Sequence, residues 1–300
     1  MEYMMLKGII PPVITPLINN NELDVEGLEK LIEHLIDGGV HGLFLLGTNG
    51  EAPSLSYELR KELIAKACDF IDKRVPVFVG ITDTSFAGSI EIAQFSKSAG
   101  IDAVVVAPPY YMPISQDEMM IYLENLSAAL PLPFILYNMP SCTKLHLSIE
   151  TVKKAKELGA LGVKDSSGDM VYLYSLIEEF KDSPDFSILA GTELYIPDVI
   201  AHGGHGSVAG GANIFPRVYV DLYEASVKND LNEIARLRDV VVKLYNTVYN
   251  VGGSPMNVTK GIKCSLSIMG ICNGYMAHPL REFEGAEREL VKQYLEKITK

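Results

Sequence analysis

Residues 133–168, PFILYNMPSCTKLHLSIETVKKAKELGALGVKDSSG, decide the fold. The stretch opens on a short apolar run, PFILYN (133–138), and closes on another, LGVK (161–164). Between them Ser148 stands as a helix N-cap, and a helical pattern runs from it to Gly159. Apolar run, helix, apolar run is one βα unit. Runs this short and this continuously apolar suit parallel strands buried on both faces.

The unit repeats in both directions. Similar runs are GIIPPVIT (8–15), GLFLLG (42–47), PVFVGI (76–81), AVVVAP (103–108), SILAG (187–191) and GSVAG (206–210). Amphipathic helices with readable ends lie between them. Asp24 precedes the stripe Leu28, Leu31, Ile32 and Leu35, closed by Gly38 and Gly39. Ser56 opens a helix carrying Leu59, Leu63, Ala67 and Phe70. Ser115 and Glu118 have capping-box spacing, and Gly100 closes the helix that follows Ser85. Strand ends at Thr15, Leu46, Ile81, Ala107, Tyr137, Lys164, Ala190 and Ala209 make eight successive units. That number predicts an α/β fold, a (β/α)8 TIM barrel, rather than a doubly wound sheet; no G-x-G-x-x-G follows the first run. Two features strain the reading. Pro11 and Pro12 each remove a ladder donor from the first run, and the seventh unit leaves room for only a short helix near 193–202. From Pro216 the pattern is helical only, over 218–227, 231–245, 258–268 and about 281–298. The expected organisation is a barrel catalytic domain over 1–229 and a C-terminal helical bundle over 230–300.

Composition narrows the function classes. Hydrophobic residues make up 48% of the chain and charged residues 21%, which is enough apolar surface for a large core. A net charge of -12 argues against a nucleic-acid or anionic-membrane partner, which needs clustered Lys and Arg. The four cysteines, Cys68, Cys142, Cys264 and Cys272, form no C-x-x-C pair and read as reduced thiols of a cytoplasmic protein. The start, MEYMMLKGIIPPVITP, has an apolar run broken by prolines and does not read as a signal peptide, and no run is long enough to span a bilayer.

The C-terminal ends of barrel strands carry the active site, so the chemistry is sought there. Lys164 ends an apolar strand, where burial favours the neutral amine, the form that adds to a ketone to give an imine. A lysine in that place also has the plainer options of snorkelling to solvent or pairing with Asp165. Tyr137 ends the preceding strand, and a phenol there can relay protons during imine formation; otherwise it is a core tyrosine with a satisfied hydroxyl. The turn Gly47-Thr48-Asn49-Gly50-Glu51 offers backbone N–H groups and a hydroxyl to a small carboxylate, or is simply a tight turn with Glu51 in solvent.

Taken together, G-T-N-G-E (47–51), P-P-Y-Y (108–111), Y-N-M-P-S (137–141), G-V-K-D (162–165) and G-G-H-G (203–206) occur in an order that resembles the dihydrodipicolinate synthase/N-acetylneuraminate lyase superfamily over essentially the whole chain. The resemblance implies a class I aldolase in which Lys164 forms a Schiff base with pyruvate. In that pattern Tyr137 serves the imine steps and Thr48 links it to a second tyrosine, Tyr111, which reaches a neighbouring subunit's site. The N–H groups of Thr48 and Asn49 hold the pyruvate carboxylate, and the carbonyl of Val208 faces the site. The resemblance also implies a homotetramer that needs no metal or other cofactor. Its partners are a small 2-oxo acid and an aldehyde.

The aldehyde is where this chain departs from the pattern. The lysine-biosynthetic synthases carry Y-N-x-P-x-R, and the arginine position here is Cys142, which cannot grip a carboxylate bidentately. Lys144 is the nearest substitute charge, and Asn49 replaces the usual threonine. Glu193 keeps one of the two adjacent acids of the sialic-acid lyases, either to meet a polyol hydroxyl or to complement a helix N-terminus. The reading is therefore cleavage or formation of a 4-hydroxy-2-oxo acid, sugar-acid or sialic-acid-like, with the synthase as the alternative. A metal-dependent aldolase using His202 and His205, a phosphate site at Gly210-Gly211-Ala212-Asn213 and an inactive binding barrel are the readings from other classes.

Overall fold

Period-two alternation along each strand sorts side chains between two cores. In the computed structural model, which describes residues 5–298, one cluster of buried residues fills the barrel interior and a larger one lies between strands and helices. Residues 1–4, 299 and 300 lie outside the description, and with them the first residues of the N-terminal stretch and the outer ends of the two expected domains. The strands are β1 (Gly8–Ile9), β2 (Leu43–Leu45), β3 (Val77–Gly80), β4 (Ala103–Val106), β5 (Phe134–Asn138), β6 (Ala160–Asp165), β7 (Ser187–Ala190) and β8 (Gly206–Ser207). On β4, for example, Ala103 and Val105 point inward while Val104 and Val106 meet the helices. Both faces are buried, which is why the runs read as unbroken apolar sequence.

All neighbouring strands pair in parallel, in the order β1-β8-β7-β6-β5-β4-β3-β2. The sheet curls into the (β/α)8 barrel. Closure falls at the two prolines. The first run was expected to be a strand over 8–15, but regular pairing stops after Ile9 and continues only as a bridge between Pro12 and Phe44. There the Phe44 N–H donates to the Pro11 carbonyl at 3.0 Å, and the Val13 N–H donates to the Phe44 carbonyl at 2.8 Å. Prolines lack donors but keep their acceptors, and the seam uses the acceptor.

The helices are α1 (Val25–Asp37), α2 (Tyr57–Ile71), α3 (Phe86–Ala99), α4 (Gln116–Ala129), α5 (Pro140–Thr143), α6 (Ile149–Glu157), α7 (Met170–Phe180), α8 (Ile196–Ala201), α9 (Pro216–Val227), α10 (Leu231–Asn246), α11 (Asn257–Ile268) and α12 (Gly285–Ile298). The side chains of Asp24, Ser56, Ser85 and Ser148 each accept from a first-turn N–H, and Ser115 with Glu118 forms the full capping box. The short α8, preceded by a 3-10 turn at Glu193–Tyr195, accounts for the short seventh unit. Two details differ from expectation. The one-turn α5 follows β5 directly, and α12 begins at Gly285, itself at φ 48°, rather than near Arg281, whose side chain pairs with Glu287.

The turn after β2 is held by close packing. Leu46 and Glu51 both take left-handed backbone conformations, at φ 56° and 55°, which side chains other than glycine adopt only under tertiary constraint. Beside them Gly80 lies so near that an added Cβ would sit 2.2 Å from the Leu46 carbonyl oxygen. Gly80→Ala is expected to cost about 1–3 kcal/mol of stability by forcing the turn aside. Denaturant unfolding measures this, and an unchanged midpoint would contradict it.

Candidate active site

Register builds the centre of the site. In the β5–β6 ladder Tyr137 is paired with Lys164 and Asn138 with Asp165. Alternation then sends the first pair into the barrel and the second outward. On the outer side Asp165 accepts from Asn138 Nδ2 at 2.7 Å and from Ser167 Oγ at 2.9 Å. Burial raises the carboxyl's pKa, opposed by these hydrogen bonds. Asp165 is thus occupied on the far side of the strand, and pairing with Lys164 is ruled out.

On the inner side Lys164 is only 6% exposed, so it does not snorkel to solvent. Its Nζ lies 4.0 Å from the centroid of the Tyr137 ring and 5.4 Å from that of Phe44. Among the described residues it has no carboxylate partner. With Val208, at the end of β8, it lines a small pocket inside the barrel. That pocket shares Phe44 and Val105 with a cavity of about 300 Å³ above it.

Thr48, Tyr110, Tyr137, Met139 and Cys142 all face the larger cavity. The Tyr137 hydroxyl and Thr48 Oγ1 are 3.4 Å apart, so the expected link between them is in place. The N–H groups of Thr48 and Asn49 donate to no atom of the described residues, which leaves two successive backbone donors free for an anion. Tyr111 stands apart: it is 87% exposed and adopts φ 78°, while its neighbour Tyr110 takes the place at the cavity wall. Burial first, and then the charge of Asp83, raises the pKa of the Tyr110 phenol.

Other expected residues fall elsewhere. Glu193 does not face the cavity, so it does not meet a polyol hydroxyl there. Its carboxylate accepts from Tyr219 at 2.6 Å, Tyr249 at 3.0 Å and the Gly211 N–H at 2.8 Å, and burial raises its pKa. The Gly210–Asn213 turn spends its polar groups on Glu193, Pro12 and Ile14, leaving no cradle for phosphate. His202 Nδ1 lies 2.7 Å from the Asp198 carbonyl, and His205 Nδ1 accepts from the Ile188 N–H. Among the described residues no three His, Cys, Asp or Glu side chains converge as metal ligands. The Lys144 amine turns back to the Ser141 carbonyl at 2.8 Å, so it does not replace the missing arginine.

Sequence reading missed the contribution of the C-terminal region. Glu51 is buried, not solvated. It forms a 2.5 Å ion pair with Lys263 of α11, and its other oxygen accepts from the Ala277 N–H. Burial lowers the Lys263 pKa, against the opposing pull of Glu51. One turn earlier on α11, Thr259 donates to Asn49 Oδ1 at 3.1 Å. Met256, Pro279 and Leu280 complete the cavity wall. The one signal available was Lys263 itself, a charge set among Gly261, Ile262 and Cys264 in a helix otherwise buried there.

Known proteins share this fold. The model of the dihydrodipicolinate synthetase family matches residues 5–298. The chain belongs to that family. A solved dihydrodipicolinate synthase from Bacteroides thetaiotaomicron is 47% identical and superposes with a TM-score of 0.94, covering 97% of this chain and 98% of that one. The 4-hydroxy-tetrahydrodipicolinate synthase of Methanoculleus marisnigri is 31% identical over 97% of this chain and 99% of its own. The YagE protein of Escherichia coli K12, provisionally named a 2-dehydro-3-deoxy-D-gluconate aldolase, is 33% identical over 85% of each chain. Its structure in complex with pyruvate gives a TM-score of 0.92 at 30% identity, covering 99% of each chain. Family and fold make this chain an enzyme of the lyase, aldolase type.

Tyr137→Phe and Thr48→Val are each expected to lower kcat by about 10²- to 10⁴-fold while leaving the fold intact. Because the hydroxyls act through one contact, the double variant is expected to lose much less than the product of the single losses. Steady-state rates with circular dichroism check this, and fully multiplicative losses would contradict a shared proton path.

Proposed function

We propose that the protein is a pyruvate-dependent class I aldolase whose Schiff-base lysine is Lys164. The observation that carries the reading is the inward pair: an amine with no carboxylate partner among the described residues, beside the ring of Tyr137, in a small pocket that adjoins the larger cavity through Phe44 and Val105. The likeness to a protein solved with pyruvate supports the choice of 2-oxo acid. In this reading the Thr48 and Asn49 N–H groups hold the pyruvate carboxylate, and the Val208 carbonyl faces the bound acid.

The Lys164 amine adds to C2 of pyruvate, and the ketone oxygen leaves as water, giving a protonated imine. That imine is an electron sink, so C3 loses a proton to form an enamine. The enamine carbon attacks the aldehyde carbon, and the aldehyde oxygen takes a proton through Tyr137. Water then hydrolyses the imine, freeing a 4-hydroxy-2-oxo acid and the amine. Cleavage is the same path reversed. No metal or other cofactor enters these steps. Tyr111, exposed on the single chain, is assigned to the neighbouring site of a homotetramer, where it joins Thr48. Four free cysteines fit a reducing cytoplasm.

The alternative is 4-hydroxy-tetrahydrodipicolinate synthase. The 47% identity to a protein of that name favours it, and Cys142 at the arginine position speaks against it. A sugar-acid aldolase takes its support from the likeness to YagE.

Enamine formation exchanges the methyl hydrogens of pyruvate with solvent. In deuterium oxide the protein is expected to deuterate pyruvate without any aldehyde, Lys164→Arg to abolish the exchange, and EDTA to leave it unchanged. Proton NMR reads all three. Exchange that survives Lys164→Arg would overturn the reading, and loss with EDTA would return the metal-dependent mechanism.

A further inference from the structure

In the imine reading a second reactant would enter the cavity beside Lys164, and the walls of that cavity bear on its chemistry. Among the described residues none that lines the cavity is Lys, Arg or His. The buried cations around it are already engaged. Arg60 pairs with Asp83 at 3.0 Å, Lys263 pairs with Glu51, and Lys260 lies 4.6 Å from the centroid of the Phe283 ring. Lys144 is turned onto its own loop. A carboxylate on the second reactant would therefore lose water and gain no counter-charge, an unfavourable exchange. The one acid in the wall, Glu51, is matched by Lys263, so a cationic reactant is no better served.

The rest of the lining is mostly carbon. Beyond Thr48 and Tyr137 the surface includes Ala52, Pro53, Met139, Met256 and Leu280, with the Cys142 thiol among them. Of the other wall hydroxyls, Thr143 donates to the Met139 carbonyl and Thr82 accepts from the Ala107 N–H; Ser54 and Tyr110 add two more to a surface that remains mostly carbon. A polyhydroxylated chain would leave hydroxyls against methyl and thioether groups. Methionines adapt to irregular apolar shapes.

We infer that the electrophile is an uncharged aldehyde with an apolar aliphatic or aromatic substituent, and that Met139, Cys142, Met256 and Leu280 select it. The inference rests on the imine reading and names its second substrate. Where the sequence leaned toward a hydroxylated partner, the lining favours an apolar one. The covalent chemistry is unchanged: the enamine carbon bonds to the aldehyde carbon, the aldehyde oxygen is protonated, and hydrolysis restores Lys164.

The experiment uses the intact protein with pyruvate and four aldehydes: butanal, benzaldehyde, succinic semialdehyde and glyceraldehyde. Pyruvate consumption gives the rates and mass spectrometry identifies the adducts. For butanal or benzaldehyde kcat/KM is expected to exceed both other values by about 100-fold. A preference for succinic semialdehyde or glyceraldehyde, or no condensation with either apolar aldehyde, would overturn the inference while leaving imine formation standing, provided pyruvate still exchanges deuterium. Without that exchange the imine reading fails, and this inference with it. Cys142→Arg is expected to move the ratio toward succinic semialdehyde by at least about tenfold. An unchanged ratio in a folded variant counts against selection at this wall.

Discussion

The parallel pairing of Tyr137 with Lys164 is the constraint on which the site depends. Both residues end strands, and both take the inward phase of a period-two pattern. A slip of one residue in β6 would exchange Lys164 for Asp165, placing a carboxylate in the barrel and the amine among the helices. Apolar neighbours on both faces hold the register: Leu136 and Val163 are buried outside the barrel, and Leu189 and Val208 are buried within it. Asn138 and Asp165 add a buried hydrogen bond on the outer face that only this phase allows. The Lys164 amine is therefore positioned by the same burial that stabilises the sheet.

A second constraint joins the C-terminal helices to the barrel. The turn after β2 carries Thr48 and Asn49, and its geometry includes two left-handed residues. Glu51 and Lys263 fasten the end of that turn to α11, and Thr259 fastens its middle. A buried ion pair gains little over a well-packed apolar pair, but removing one partner costs about 3–5 kcal/mol. Its benefit here is in placement: the turn that carries the Thr48 and Asn49 N–H groups is fixed against α11. The helices after the eighth unit thus help build the site, both through this clamp and through Met256 and Leu280 at the cavity wall.

What was legible in the sequence follows the range of the interactions. Caps at Asp24, Ser56, Ser115 and Ser148 are local chemistry, and each stands where it was read. The strand order followed from eight consecutive βα units, and so did the placement of Lys164 and Tyr137 at neighbouring strand ends; their shared inward phase came only with the register. Long-range partners were not legible. Glu193 looked available beside a strand end, yet Tyr219 and Tyr249 take up its carboxylate from far along the chain. Glu51 looked solvated until Lys263, more than 200 residues later, was placed against it. The prolines showed that the first strand was irregular, but not that the barrel seam would close on the Pro11 carbonyl.

Everything in this account turns on a covalent bond between one amine and one ketone. Reduction with borohydride in the presence of pyruvate traps that bond, and peptide mapping by mass spectrometry locates it. The account predicts one adduct per chain, on the peptide containing Lys164, and none when pyruvate is omitted. No adduct under conditions that trap an established Schiff-base aldolase, or an adduct on another lysine, would contradict it.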